Sequence, residues 1–279
     1  MIEKKRFALN RIACPSLSLE DFFTLTVDLG LSKVELRNDL PGGAVIDGRP
    51  AAEVRELAER RGVTIISINA LQKFNLKAVQ AKNEAELDTL LGLASALRCT
   101  AIVMCPNNDT QDTRDAATRL EETVSALKAF GPLFTARGIQ GWVEPLGFGE
   151  SSLSSVAVAR DALKRSGFAC YRIVLDTFHH YLGPDTEKDI DAAFASGVAG
   201  LIHVSGVEDG IPTASYRDAH RVLVTPADHM ASRQLVARMV SLGYKGDISF
   251  EPFSSAVQSM SRETLAAALR KSIEFLSGD

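Results

Sequence analysis

The feature that most constrains this chain is an alternation. Eight short apolar runs, rich in β-branched residues and bounded by turn or polar residues, recur at 6–13, 33–38, 64–71, 101–107, 141–147, 172–179, 201–207 and 247–253. Strands buried on both faces of a parallel sheet have this length and character. Between them lie amphipathic segments at 19–30, 50–62, 83–98, 116–138, 154–167, 189–197, 231–243 and 262–276. In the second of these, Val54, Leu57 and Ala58 share a face at i, i+3 and i+4 while charges fill the other. Pro50 suits the start of that helix and Gly62 its end.

Eight such units in 279 residues come to about 35 residues each, a natural βα repeat, and a (β/α)8 barrel is typically ~250 residues long. An open doubly wound sheet alternates in the same way, but it would place a Gly-rich phosphate turn after the first strand. The chain there reads CPSLSLED. No linker or composition break divides it. The expected fold is therefore α/β: a (β/α)8 TIM barrel spanning residues 1–279 as one domain.

Composition excludes several classes of function. No apolar run reaches the ~18–20 residues of a membrane helix. The N-terminus, MIEKKRFALN, starts charged and runs into a strand, unlike a secretory signal. Lys and Arg number 31 against 35 Asp and Glu, a net charge of −4, which disfavours a nucleic-acid partner. Cys14, Cys99, Cys105 and Cys170 form no CxxC pair and read as reduced thiols of a cytoplasmic protein. No GxSxG or Walker-type loop occurs, so triad hydrolases and P-loop enzymes drop out.

A barrel enzyme works from the C-terminal ends of its strands. Four consecutive strands carry an ionisable residue there: Glu144 on the fifth, Asp176 on the sixth, His203 on the seventh and Glu251 on the eighth. Three carboxylates crowded at one rim repel each other unless a cation compensates. With one imidazole they make an oxygen-rich site that suits one divalent metal: Mn2+, Zn2+, Mg2+ or Co2+. The competing reading is that each carboxylate caps the next helix or pairs with an arginine.

This strand-end set, with the run Asp176-Thr-Phe-His179, resembles the xylose isomerase-like TIM-barrel superfamily. The stretches VELRND (34–39) and SINALQKFN (67–75) are most similar to its inosose (2-keto-myo-inositol) isomerases. The resemblance implies that Glu144, Asp176, His203 and Glu251 are the metal ligands. It further implies that Glu150, His179 and Arg221 bind substrate. The run after Arg221 departs from the family pattern: Thr225-Pro226-Ala227-Asp228-His229 stands where many relatives have Pro-Gly-x-Gly. The implied reaction is isomerisation of a polyhydroxy ketone, a small-molecule polyol or keto-sugar. Ketose 3-epimerase and hydroxypyruvate isomerase are the alternatives, and an abasic-site phosphodiesterase is a more distant one. A non-catalytic sugar-binding protein would be expected to lack a ligand. Relatives often form homo-oligomers.

Moving a carbonyl to the neighbouring carbon requires removing a proton α to it, stabilising a cis-enediolate and returning the proton. Glu144 and Glu251 can flank a substrate as ligands and as the proton-transfer pair. Glu35 and Arg37, at i and i+2, face the same way and either pair with each other or meet substrate. Asn69 and Asn10 can hold sugar hydroxyls or satisfy loop backbone. Phe74 and Trp142 can wall a sugar or pack in the core. Cys105 reads as core. Asp218, His220, Asp228 and His229 form either a second metal site or a solvated loop. With no Arg-rich patch, a phosphorylated substrate is not expected.

Overall fold

A computed structural model describes residues 1–40 and 42–278. Eight parallel strands close on themselves in sequence order. They are β1 (Phe7–Asn10), β2 (Lys33–Arg37), β3 (Thr64–Leu71), β4 (Ala101–Met104), β5 (Gln140–Val143), β6 (Tyr171–Asp176), β7 (Ala199–Val204) and β8 (Asp247–Phe250). The first and last strands pair through Phe7–Ile248, Ala8–Ser249 and Leu9–Phe250, so no sheet edge is left. The expected (β/α)8 barrel is the observed fold.

Helices cover the outside: α1 (Leu19–Asp28), α2 (Ala51–Arg61), α3 (Gln80–Leu97), α4 (Ala116–Arg137) and α5 (Val156–Ser166) in the first half. The second half carries α6 (Thr177–Leu182), α7 (Glu187–Ala195), α8 (Ser232–Ser241), α9 (Ser255–Gln258) and α10 (Arg262–Ser277). Gly62 ends α2 in the left-handed conformation, at φ 67°, where a Cβ would be strained. Val54, Leu57 and Ala58 are the buried face of α2, as their spacing predicts.

Two short helices depart from one helix per strand. α6 starts directly on the last residue of β6, because the Asp176 carboxylate accepts from the Phe178 and His179 amides and nucleates a turn there. α9 precedes α10, capped by the Ser254 hydroxyl. The first apolar run is also shorter as a strand than 6–13: after Asn10 the chain turns into a 3-10 helix at Arg11–Ala13.

The main apolar core lies between strands and helices, where side chains such as Phe7, Phe22, Phe130 and Phe250 are fully buried. A second, smaller cluster fills the barrel itself, including Ala8, Val103, Trp142, Val174 and Leu201. Side chains alternate along a strand, so the next inward positions towards the C-terminal ends are Asn10, Cys105, Glu144, Asp176 and His203. The interior is thus apolar low down and polar at the top.

The loop after β5 is pressed against α6. A Cβ at Gly147 would run into the His179 carbonyl oxygen and stand 2.8 Å from the Gly183 nitrogen, both backbone atoms that cannot swing aside. Gly147→Ala is therefore expected to destabilise the protein by about 1–3 kcal/mol, as overpacking does. Gly149→Ala, which meets nothing within 4 Å, should be close to neutral. Denaturant unfolding of the two variants side by side checks this, and equal stabilities would refute it.

Candidate metal centre

The four strand-end residues converge. One donor atom from each of Glu144, Asp176, His203 and Glu251 lies within 4.8 Å of all the others, and all four residues are buried. The His203 Nδ1 stands at the middle, 2.8 Å from Glu144 Oε1, 3.2 Å from Glu251 Oε2 and 3.9 Å from Asp176 Oδ2. Its other nitrogen, Nε2, lies 3.0 Å and 3.1 Å from the two oxygens of Glu35. This is the carboxylate–histidine arrangement that fixes an imidazole so that one nitrogen faces a metal.

Glu35 is fully buried and held in place by neighbours. Ser67 donates to it at 2.5 Å, Asn69 at 2.9 Å and Asn10 at 3.3 Å. The alternative that Glu35 pairs with Arg37 is therefore corrected. The two share a strand face, but Glu35 points to His203. Arg37 forks onto Asp39 through Nε and Nη2, both at 2.7 Å, and reaches Glu251 Oε1 through Nη1 at 2.7 Å.

Arg221 approaches from the long connection after β7, where a 3-10 turn at Asp218–His220 delivers it. It is buried, and its Nη2 donates to Asp176 Oδ2 at 2.5 Å and to Glu251 Oε2 at 2.8 Å. Ser205 takes its Nε and Asp218 its Nη1. The altered run after Arg221 thus leaves it inside the centre.

The electrostatics follow from burial and charge. Burial disfavours a charged His203, but Glu251, Glu35 and Glu144 outweigh it and push its pKa well above the usual imidazole value. Glu251 would be raised by burial, yet His203, Arg221 and Arg37 hold it well below the normal carboxylate range. Asp176 is raised by burial despite Arg221. Burial and then Arg221 push His179 down to about 4, so its ring is neutral at physiological pH.

Four buried carboxylates (Glu35, Glu144, Asp176 and Glu251) face two buried guanidinium groups, Arg37 and Arg221. With a neutral His203, two negative charges remain uncompensated in a low-dielectric interior. One divalent cation supplies that charge, and three carboxylate oxygens with one imidazole nitrogen are a fitting donor set for it.

Above the centre opens a cavity of about 390 Å3. Arg37, Asn69, Glu144, His179, Arg221 and Glu251 all line it. His179 is packed edge-on against Phe148 and Phe178, and its buried Nδ1 has no partner. Glu150 does not line the cavity; it sits half-buried in the turn beyond β5. Asn10 connects Glu35, Glu251 and Arg37 below the cavity. Phe74 is in the main core and Trp142 inside the barrel, donating to Gln140. Cys105, read as core, reaches the cavity wall with its Sγ 3.6 Å from Glu144.

The second-site reading around Asp228 fails. Its carboxylate accepts from the Val207, Met230 and Ser232 amides, and His229 faces the Glu208 carbonyl. Among the described residues, the only metal-suited cluster is the one on β5 to β8.

Among the cavity residues that sequence reasoning missed are Asp39, Lys73, Phe148 and Phe253. The Phe253 ring lies 5.1 Å from the Arg37 guanidinium and 4.7 Å from that of Arg221. Its signal was faint but present, two residues beyond Glu251 in the run EPF.

The profile of the xylose isomerase-like TIM barrel matches residues 23–277. The chain belongs to this family. A xylose isomerase domain-containing protein from Salmonella typhimurium LT2 is 39% identical, with a TM-score of 0.92 and 99% of each chain covered. The IolI protein, solved with a zinc atom bound, superposes at a TM-score of 0.87 with 16% identity over 98% of each chain. D-Psicose 3-epimerase from Clostridium cellulolyticum H10, solved with D-tagatose, gives 0.76 and 17% over 98% of each chain. At those identities the last two show the shared fold. No curated protein matches the chain in sequence. No helix among the described residues is long and apolar enough to cross a membrane.

Two outcomes follow for this family member. Titrating metal-free protein with Mn2+ near neutral pH should release about one proton per ion bound, because His203 must lose its proton to become a ligand. Calorimetry in buffers of different ionisation enthalpy reads that proton, and an identical heat in both would contradict it. Glu35→Gln should weaken metal affinity by about 10–100-fold, the usual cost of losing such an outer partner.

Proposed function

We propose that this protein is a divalent-metal-dependent isomerase of a polyhydroxy ketone, with 2-keto-myo-inositol as the substrate favoured by the sequence. The observation that carries this reading is the placement of Glu144 and Glu251. Carboxylates from β5 and β8 approach one imidazole nitrogen at 2.8 Å and 3.2 Å and both line the cavity. A bound Mn2+, Zn2+, Mg2+ or Co2+, held by Glu144, Asp176, His203 and Glu251, would polarise the carbonyl and offset charge developing on the substrate oxygens.

The remaining work falls to the chain. Glu144 and Glu251 remove and return the proton on adjacent carbons, so that a cis-enediolate links ketone and product. Arg221 and Arg37 steady Glu251 and place single N–H groups at the cavity wall. His179 presents an uncharged ring at the cavity wall to a substrate hydroxyl, and Asn69 lines the same cavity. The position of Glu150 outside the cavity lining gives it no direct part in this scheme.

A metal-loaded protein incubated with inosose in deuterated water should incorporate solvent deuterium beside the carbonyl. D-Fructose, D-tagatose and hydroxypyruvate in the same panel distinguish the epimerase and hydroxypyruvate branches, and nicking of an abasic-site duplex would revive the nuclease one. Glu144→Gln and Glu251→Gln should each slow exchange by about 10²–10⁴-fold, the range of general acid–base contributions. Metal content measured on the same samples separates loss of the proton carrier from loss of the ion. Absence of exchange with every ketone would overturn the isomerase reading.

A further inference from the structure

The cations that line the cavity are Arg37, Lys73 and Arg221. The two arginines are almost fully spent. Arg37 gives Nε and Nη2 to the two oxygens of Asp39 at 2.7 Å, and Nη1 to Glu251 at 2.7 Å and Asn10 at 3.3 Å. Arg221 gives Nε to Ser205 at 3.1 Å, Nη1 to Asp218 at 3.2 Å, and Nη2 to Asp176 at 2.5 Å and Glu251 at 2.8 Å. A guanidinium carries five N–H donors, so each arginine keeps one. The Phe253 ring covers a face of both.

Carboxylates and phosphates are gripped by a fork of two parallel N–H groups. No such fork is free here. Lys73 stands at the rim, half exposed, with Asp109 3.5 Å away. The acceptor side is the reverse: Asp39 and Asp218 both line the cavity, and their carboxylates are 34% and 47% exposed. A hydroxyl can donate to either and accept from a lone N–H. An anion finds no free fork of donors and meets the Asp39 and Asp218 carboxylates, with Lys73 only at the rim.

We infer that Asp39 and Asp218 set the charge class of the ligand: by occupying Arg37 and Arg221, they make the cavity a receptor for an uncharged polyhydroxy compound and close it to carboxylate- or phosphate-bearing ones. The inference deepens the isomerase reading and takes the site's location from it. Asp39 and Asp218 act here as specificity-determining residues, with no part in the proton transfer.

The test compares matched ligands on Mn2+-loaded protein by calorimetry, so that binding is read apart from turnover. Dihydroxyacetone against hydroxypyruvate and D-fructose against D-fructose 6-phosphate are the pairs. In the unsubstituted protein the uncharged member of a pair should bind more tightly by about 100-fold, since like-charge juxtaposition is costly. Asp39→Asn and Asp218→Asn should each narrow that ratio by about tenfold or more, because each frees N–H groups of an arginine and removes a repelling charge. A merely structural role would weaken both members alike and leave the ratio where it was. An anionic member that binds as well as its uncharged partner, an unchanged ratio in both folded variants, or no binding of any uncharged member would each overturn the inference. Tight binding of the uncharged members without deuterium exchange would instead overturn the isomerase reading and leave this one standing.

Discussion

The structure depends on the way four carboxylates are tolerated inside a barrel. Glu35, Glu144, Asp176 and Glu251 are all buried, and each would be costly there without compensation. Compensation comes from three sources that surround them: the His203 imidazole at the middle, and Arg37 and Arg221 on one side. Asn10, Ser67 and Asn69 donate further hydrogen bonds to Glu35, and Asn10 also to Glu251. Removing one member leaves its partners charged and unpaired, so the cluster is a unit and not a sum of pairs.

The barrel makes that unit affordable by dividing its interior. Below the rim, Ala8, Val103, Trp142, Val174 and Leu201 supply an apolar plug that needs no polar partner. One inward position further along, the side chains are polar on nearly every strand. The in-register pairing of Asp176 with His203 and of His203 with Ser249 sets their heights in the barrel. A strand slipped by a single residue would turn its ligand into the helix layer. Function and register are therefore specified by the same hydrogen bonds.

The fold was legible because its signal is local. Each βα unit announces itself within about 35 residues, and period-2 alternation says which strand residues share a face. That logic reached Glu144, Asp176, His203 and Glu251 from their places at strand ends. The pairings among them were not legible, since they cross the chain: Arg37 meets Glu251 across 214 residues and His203 meets Glu35 across 168. Knowing that Glu35 and Arg37 share a face did not say that they part company, one to His203 and the other to Asp39. Nor could the sequence show that α6 begins on Asp176 itself. Residue propensity offers no sign of a six-residue helix there, and it forms because a carboxylate at the barrel rim accepts two amides.

Asp176 shows that capping a helix and facing the centre are compatible. Its Oδ1 accepts from the Phe178 amide at 2.7 Å and the His179 amide at 3.2 Å, while Oδ2 faces Arg221 and the His203 side of the centre. The cap holds the carboxylate's plane, and through α6 it also sets His179 against Phe148 at the cavity wall. Glu251 is fixed on its side by Asn10, Arg37, Arg221 and His203. Glu144 has no comparable set of restraints: its side-chain contacts are His203 and the weak Cys105 thiol. The centre therefore has a stiff half, built from β6, β8 and the arginines, and a looser half on β5. The loop that continues from that looser half is the one wedged against α6 at Gly147, so backbone packing restrains β5 where side-chain hydrogen bonds do not.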